Sequence, residues 1–223
     1  LLEKWEGYEK KLFVMGNGRN SYAKTDPDAT FMHMKEDHMR NGQLKPGYNV
    51  QIAVNSEYIT GVAAFQNRAD SGTLRPFPRR LEQRHGKRYR DIVADAGYES
   101  LDNYLYLEDN GQTSFIKPIN YEAQKSRRLR QQIGRRENMT YDGQQDCYFC
   151  AAGRELAFRR ENTRRNRQGN FTTTAYYRCD SCAGCPCREA CCKAKDGAAK
   201  ELSVKVDLLR LSDRSKQNIT GER

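Results

Sequence analysis

The stretch Tyr89-Arg90-Asp91-Ile92-Val93-Ala94-Asp95-Ala96-Gly97-Tyr98-Glu99-Ser100 constrains the fold more than any other part of the chain. Ile92, Val93 and Ala94 make the short apolar run expected of a strand buried on both faces. Asp95 follows without a spacer, and Gly97 lets the backbone turn towards a helix that begins near Ser100. A carboxylate at the C-terminal end of a buried strand stands where open α/β sheets place their ligand sites. The plainer reading is that Asp95 caps a turn, and these residues alone leave both readings open.

The flanking pattern supplies a sheet for that strand. Tyr48, Val50, Ile52 and Val54 alternate with Asn49, Gln51 and Ala53, which predicts a half-buried strand. Asn55-Ser56-Glu57 reads as a turn and Tyr58–Phe65 as the second strand of a hairpin. Asp70-Ser71-Gly72 can start a helix with the stripe Leu74, Phe77 and Leu81, although Pro78 requires a late start or a kink. Beyond Asp95, Ser100 N-caps a helix carrying Leu101, Tyr104, Leu105 and Leu107. Asn110-Gly111 ends it, and Thr113–Lys117 forms the last strand. This order mixes a hairpin with parallel crossovers, an α/β architecture.

Residues 1–46 read as the end of an amphipathic helix (Leu2, Trp5, Tyr8, Leu12) and a turn-rich connection. Asp26-Pro27-Asp28 is turn chemistry there. His33 and His38 lie five apart among methionines but lack a third metal partner. Residues 47–120 form the α/β portion, and 121–223 a basic, cysteine-rich region. The chain starts at Leu1 within a helical pattern and stops without a terminal signal, so we read it as a piece of a longer protein.

Lys and Arg number 39 against 29 Asp and Glu, a net charge of +10 that favours a polyanionic partner, nucleic acid first. A merely soluble basic protein is the alternative. Arg127, Arg128, Arg130, Arg135 and Arg136 lie on an expected helix with Ile133 as nearly its only apolar anchor. Arg159, Arg160, Arg164 and Arg165 form a second cluster. Tyr176 and Tyr177 lie further on, with nothing to show that they interleave with it. No apolar run approaches the ~20 residues that span a bilayer.

All eight cysteines fall between Cys147 and Cys192. Cys147-x-x-Cys150 is followed, after strand-forming residues, by Cys179-x-x-Cys182-x-x-Cys185, with Cys187, Cys191 and Cys192 behind. Two-residue spacings let a tight knuckle aim both sulfurs at one ion, and two knuckles make a tetrahedral thiolate site. The candidate ligands of a structural Zn²⁺ are Cys147, Cys150, Cys179, Cys182, Cys185 and Cys191, holding together a small unit that lacks a core. Disulfide bonding is the rival account.

Several long motifs resemble the DDE transposases of bacterial insertion sequences: Arg19–Met32, Gly42–Gln51, Ile92–Ser100, Glu137–Asp142 and Cys182-x-x-Cys185-Pro186. The resemblance implies a ribonuclease H-like core in which Asp, Asp and Glu hold two divalent ions, Mg²⁺ or Mn²⁺. Asp95 is then the second Asp. The first lies on a strand upstream of Leu1 and the Glu on a helix downstream of Arg223. Residues from about 121 to 215 become an insertion before that helix. Also implied are double-stranded DNA as partner, a homo-oligomer on that DNA and a bacterial cytoplasmic location. The reaction would be metal-dependent strand cleavage and strand transfer, with residues 1–223 inactive alone. The rivals are a non-catalytic zinc-knuckle DNA-binding fragment of a decayed element and a nuclease of the same fold.

Overall fold

The computed structural model of the chain describes residues 2–17, 19–34, 39, 41–194 and 197–221. His38, weighed above as a metal ligand, lies outside them. Contacts divide the chain into two compact units, Leu1–Arg90 and Asp91–Arg223. The division falls inside the 47–120 segment read as one core portion. No helix among the described residues is long and apolar enough to cross a membrane.

The first unit opens with α1 (Leu2–Met15), the expected amphipathic helix, whose residues Leu2, Trp5, Tyr8 and Leu12 are all exposed. Arg19 closes its C-terminus by donating to Met15 O (2.9 Å) and Val14 O (3.1 Å), carbonyls that the last turn leaves unpaired. The connection that follows holds two strands the sequence does not announce. β1 (Thr30–His33) pairs antiparallel with β2 (Leu44–Gly47), and Pro46 lies opposite Phe31. A two-stranded ribbon tolerates that proline because every strand in it is an edge.

β3 (Asn49–Asn55) and β4 (Tyr58–Phe65) form the predicted hairpin, with Ile52 opposite Val62. Ser56 and Glu57 take positive φ (49° and 73°) in the two-residue turn, a conformation whose twist matches the strands. α2 (Pro76–His85) covers one hairpin face, packing Phe77 and Leu81 against Phe65. A Cβ at Gly61 would collide with the end of the Leu81 side chain, so α2 packs closely over the glycine. Pro76 and Pro78 both fall in the first turn, where N–H groups have no intrahelical partner, so the helix starts late. The opposite hairpin face exposes Val50, Ile52 and Val54.

In the second unit β5 (Asp91–Ala94) and β6 (Thr113–Ile116) run parallel, Val93 opposite Phe115. α3 (Leu101–Asp109) connects them. Ser100 caps it as predicted, accepting the Asn103 N–H at 3.2 Å, and Tyr104 and Leu107 are buried with Ile116. One expectation fails here. β5 is not buried on both faces: β6 is its one hydrogen-bonded neighbour among the described strands, and Val93 is 81% exposed. The expected mixed sheet is present as two separate two-stranded pieces, one in each unit.

The basic segment after β6 is not one helix. It breaks into α4 (Tyr121–Lys125), α5 (Arg127–Arg130) and a 3-10 turn at Arg136–Asn138, because Ser126 is extended and caps α5. Leu129, rather than Ile133, is its buried anchor. An antiparallel five-stranded sheet follows, built from β7 (Thr140–Asp142), β8 (Cys147–Phe149), β9 (Glu155–Arg165) and β10 (Phe171–Cys179). After the short α6 (Arg188–Cys191), β11 (Glu201–Lys205) completes the order β11-β10-β9-β8-β7. Tyr148, Leu156, Ala175, Tyr177, Leu202 and Val204 pack into a core with Cys179. The cysteine-rich region therefore has the apolar core the sequence reading denied it.

α7 (Val206–Thr220) closes the outer edge of β6 with side chains instead of a strand. Ile116 N–H donates to Ser215 Oγ (2.8 Å), whose hydroxyl donates to Ile116 O (2.9 Å), and Asn218 Nδ2 donates to Ser114 O (3.0 Å).

Candidate active-site edge and nucleic-acid interface

Asp95 leaves β5 in an extended conformation and N-caps the 3-10 turn Ala96–Tyr98, its Oδ1 accepting the Gly97 N–H at 2.8 Å. The plain reading of this residue as a turn cap is thus correct, but the cap uses one oxygen. Asp95 is exposed, and Oδ2 has no hydrogen-bond partner among the described residues. The ladder continues to the preceding residue, Lys117 N–H donating to Ala94 O at 3.1 Å. A strand end and a cap therefore fix the carboxylate, and the remaining oxygen is the hard donor that a divalent cation takes. Asp26 keeps to turn chemistry, accepting from Asp28 N (3.1 Å) and from the Tyr48 hydroxyl (2.8 Å).

Glu99 is a residue that sequence reasoning passed over. Its carboxylate accepts from Ile119 N–H (2.6 Å), the Ser212 hydroxyl (2.6 Å) and the Tyr104 hydroxyl (3.3 Å), tying α3, the exit of β6 and α7 together. Burial first, and then the charge of Glu99, hold the Tyr104 phenol above its ordinary value. Glu99 also lines a cleft of about 450 Å³ with Ile119, Arg136, Asp213 and Lys216. Its partners come from three distant segments, so no local signal marks it.

The nine arginines proposed to meet DNA differ in what holds them. Arg127 and Arg128 are exposed and have no partner among the described residues. Arg130 donates to Lys125 O (2.8 Å). Arg135 and Arg136 are half-buried and ion-paired with Glu137, at 3.6 and 3.7 Å. A register shift between Tyr176 and Tyr177 leaves Arg159 without an opposite residue, and it pairs with Asp180. Arg165 donates to Gly169 O (2.9 Å), whereas Arg164 has no partner among the described residues. Arg160 lies over the Tyr176 ring, 4.1 Å from its centroid, while Tyr177 turns into the core. One of the two tyrosines is thus interleaved with the basic cluster. Alternation and register put Arg160 and Arg164 on one ribbon face with Tyr176, Thr174 and Thr172.

The tip of this β9–β10 ribbon reaches the first turn of α3. Asn166 Nδ2 donates to Asp102 Oδ1 at 2.7 Å, and Asn170 Nδ2 donates to the same oxygen. Asp102 lies in the first turn of α3, within the stretch that follows Asp95. The arginine ribbon and the carboxylate edge belong to one compact unit, joined through a shared acceptor.

A family model described as a transposase DDE domain matches residues 20–180, and a second with the same description matches residues 149–223. The chain belongs to the transposase DDE domain family. No curated protein and no solved structure matches it. The family resemblance read from the motifs is therefore shown, across both the α/β strands and the cysteine-rich sheet of this DDE transposase.

DDE transposases use divalent ions. Asp95 fits as one oxygen ligand. Among the described residues no three His, Cys, Asp or Glu side chains gather closely enough to hold an ion, so the full ligand set is not assembled by them. The same finding covers the expected six-thiol zinc set. Cys147 is placed elsewhere: it lies within β8 opposite Ala157, and burial, followed by Glu155, Asp142 and Asp146, pushes its thiol up.

Four other thiols of the transposase share a neighbourhood. Burial pushes the Cys179 thiol up, and Cys182 and Cys150 add to it. Burial likewise raises Cys191, with Lys200 opposing and Cys150 and Cys182 adding. Arg154 clips the turn after Cys150 to the second knuckle, donating to Ser181 O (2.7 Å) and Ala183 O (3.0 Å). Lys200 N–H donates to Cys182 Sγ at 3.3 Å. All eight cysteines are free, so the disulfide account has no bridge in this structure.

Proposed function

We propose that this chain is the central portion of a transposase, from a bacterial insertion sequence, that cuts DNA at the ends of its element and joins them to a target duplex. The observation that carries the reading is the Asp95 carboxylate, fixed at a strand end with one oxygen unspent, in a chain of the DDE family. Bound Mg²⁺ or Mn²⁺ would activate the attacking water or 3′-hydroxyl and stabilise the leaving oxygen. Asp95 would serve as an ionised ligand: the Gly97 N–H fixes Oδ1, and Oδ2 is presented outward. Arg127, Arg128, Arg160 and Arg164 would meet phosphates, and the tied Arg130, Arg135, Arg136, Arg159 and Arg165 would hold the surface that presents them. A homo-oligomer on DNA belongs to the same reading, as does a cytoplasmic location.

Titration of residues 1–223 with duplex DNA at several salt concentrations tests the interface. The logarithm of the binding constant should fall linearly with that of salt, by roughly 0.9 for each phosphate neutralised. A flat dependence contradicts the proposal. Residues 1–223 alone should bind without cutting; metal-dependent strand transfer by them would overturn the need for further carboxylates.

A structural zinc held by Cys150, Cys179, Cys182 and Cys191 would require these thiols to draw together on binding, since among the described residues no three of them are placed to hold an ion. Protein purified under reducing conditions should carry about one equivalent of zinc. A Cys182→Ser variant should lose it and Cys147→Ser should keep it. Less than about half an equivalent in the parent protein would reject zinc here.

A further inference from the structure

The first unit contains an open cleft of about 680 Å³ whose walls include Arg19, Asn20, Thr30, Asn67 and Arg68, and among the described residues no Asp or Glu lines it. Two guanidinium groups stand in that wall, and neither has a carboxylate within ion-pair distance among the described residues. Arg19 spends its donors on four carbonyls, those of Val14, Met15, Pro27 and Asp28. It therefore contributes charge to the cleft rather than hydrogen bonds. Arg68 is exposed and oriented through one nitrogen: Nη2 donates to Asn20 Oδ1 (2.6 Å) and Ser21 Oγ (3.1 Å), leaving Nε and Nη1 without partners among the described residues. Thr30 adds an independent sign. It is only 2% exposed, and its Oγ1 is a buried side-chain atom with no hydrogen-bond partner among the described residues. A buried hydroxyl left unpaired costs about 1–3 kcal/mol, so such groups call for an explanation.

We infer that this cleft is a phosphodiester subsite, in which a backbone phosphate of bound DNA sits against Arg68 with the Thr30 hydroxyl in support. The chemistry is matched on three counts. A phosphodiester is an anion that only accepts hydrogen bonds. Among the described residues the cleft lining itself offers two guanidinium charges and no carboxylate, although the Asp28 carboxylate accepts from the lining residue Gln66. Its unspent groups include guanidinium donors held in a fixed orientation, the arrangement that suits phosphate oxygens. Contact of this kind sets position along the duplex and carries no base information. The inference rests on the reading of the chain as a DNA-binding protein, and adds a contact outside the arginines of the second unit.

The test uses residues 1–223, a short duplex of arbitrary sequence and inorganic phosphate as a second probe. Arg68→Ala should weaken duplex binding about tenfold at 0.1 M salt, equally for unrelated sequences, and lower the salt slope by about one. Arg68→Lys should keep the slope while binding more weakly, because an ammonium keeps the charge without the fork. Thr30→Val removes the hydroxyl at nearly constant shape. A purely structural Thr30 would lose no affinity on this change; the subsite predicts weaker binding with unfolding temperature unchanged or raised. If the parent chain fails to bind DNA, the DNA reading itself falls. If the parent binds and Arg68→Ala keeps its affinity and slope, the subsite falls alone. Inorganic phosphate that binds in an Arg68-dependent way without competing with duplex would mark a free-phosphate pocket and likewise overturn it.

Discussion

At Asp95 the turn and the proposed chemistry use different oxygens, which makes the two roles separable. Oδ1 holds the Gly97 N–H, a contact whose removal in an Asp→Ala change costs about 0.5–2 kcal/mol at N-caps. Oδ2 does nothing for the fold, so its exposure is informative. Two tyrosines give a pH-dependent check on the unit that holds Asp95. Burial, then Glu99, raises Tyr104; burial, then the hydrogen bond to Asp146, raises Tyr177. The folded chain keeps these phenolic protons more tightly than the unfolded chain does. Their contribution is thus fully present below about pH 10 and is lost as pH rises beyond it. In a native absorbance titration Tyr104 and Tyr177 should form phenolate only well above the ordinary phenol range. Ionisation of both at the ordinary phenol value, about pH 10, would contradict the packing around them.

Among the elements, α7 does work that strands usually do. A β6 edge facing solvent would offer bare N–H and C=O groups; instead Ser215 and Asn218 satisfy them from the helix. Ser215 is completely buried, so Ser215→Ala leaves the Ile116 N–H without a partner. The expected loss is about 1–3 kcal/mol of unfolding free energy, read from the urea midpoint. An unchanged midpoint would contradict the contact. Legibility at this scale follows the range of the signal. The β3–β4 hairpin, α2, α3 and the β5–β6 crossover were readable because period, caps and turns are local. β1 and β2 are too short and polar to show a period. The five-stranded sheet hides its inward face among cysteines and tyrosines, whose spacing reads equally as metal knuckles. The pairing of α7 with β6 joins residues about a hundred apart and leaves no local trace.

For the whole molecule, the family and the position of Asp95 were legible because both lie in continuous motifs. The ties made by Glu99 and Asp102 were not, because their partners come from distant segments. The cysteine spacing suggested thiolate knuckles for one or two ions, and the fold sets Cys147 within β8, opposite Ala157. Likewise the two arginine clusters looked uniform in sequence, yet Glu137 and Asp180 occupy several of their members. The central proposal is that Asp95 ligates a catalytic cation. Strand transfer by the intact transposase carrying Asp95→Asn tests it most directly, since asparagine keeps an oxygen for Gly97 but removes the charge. The account predicts native DNA binding and an unchanged unfolding temperature with strand transfer reduced to background. Activity within about tenfold of the parent enzyme, a difference of about 1.4 kcal/mol in the barrier, would contradict it.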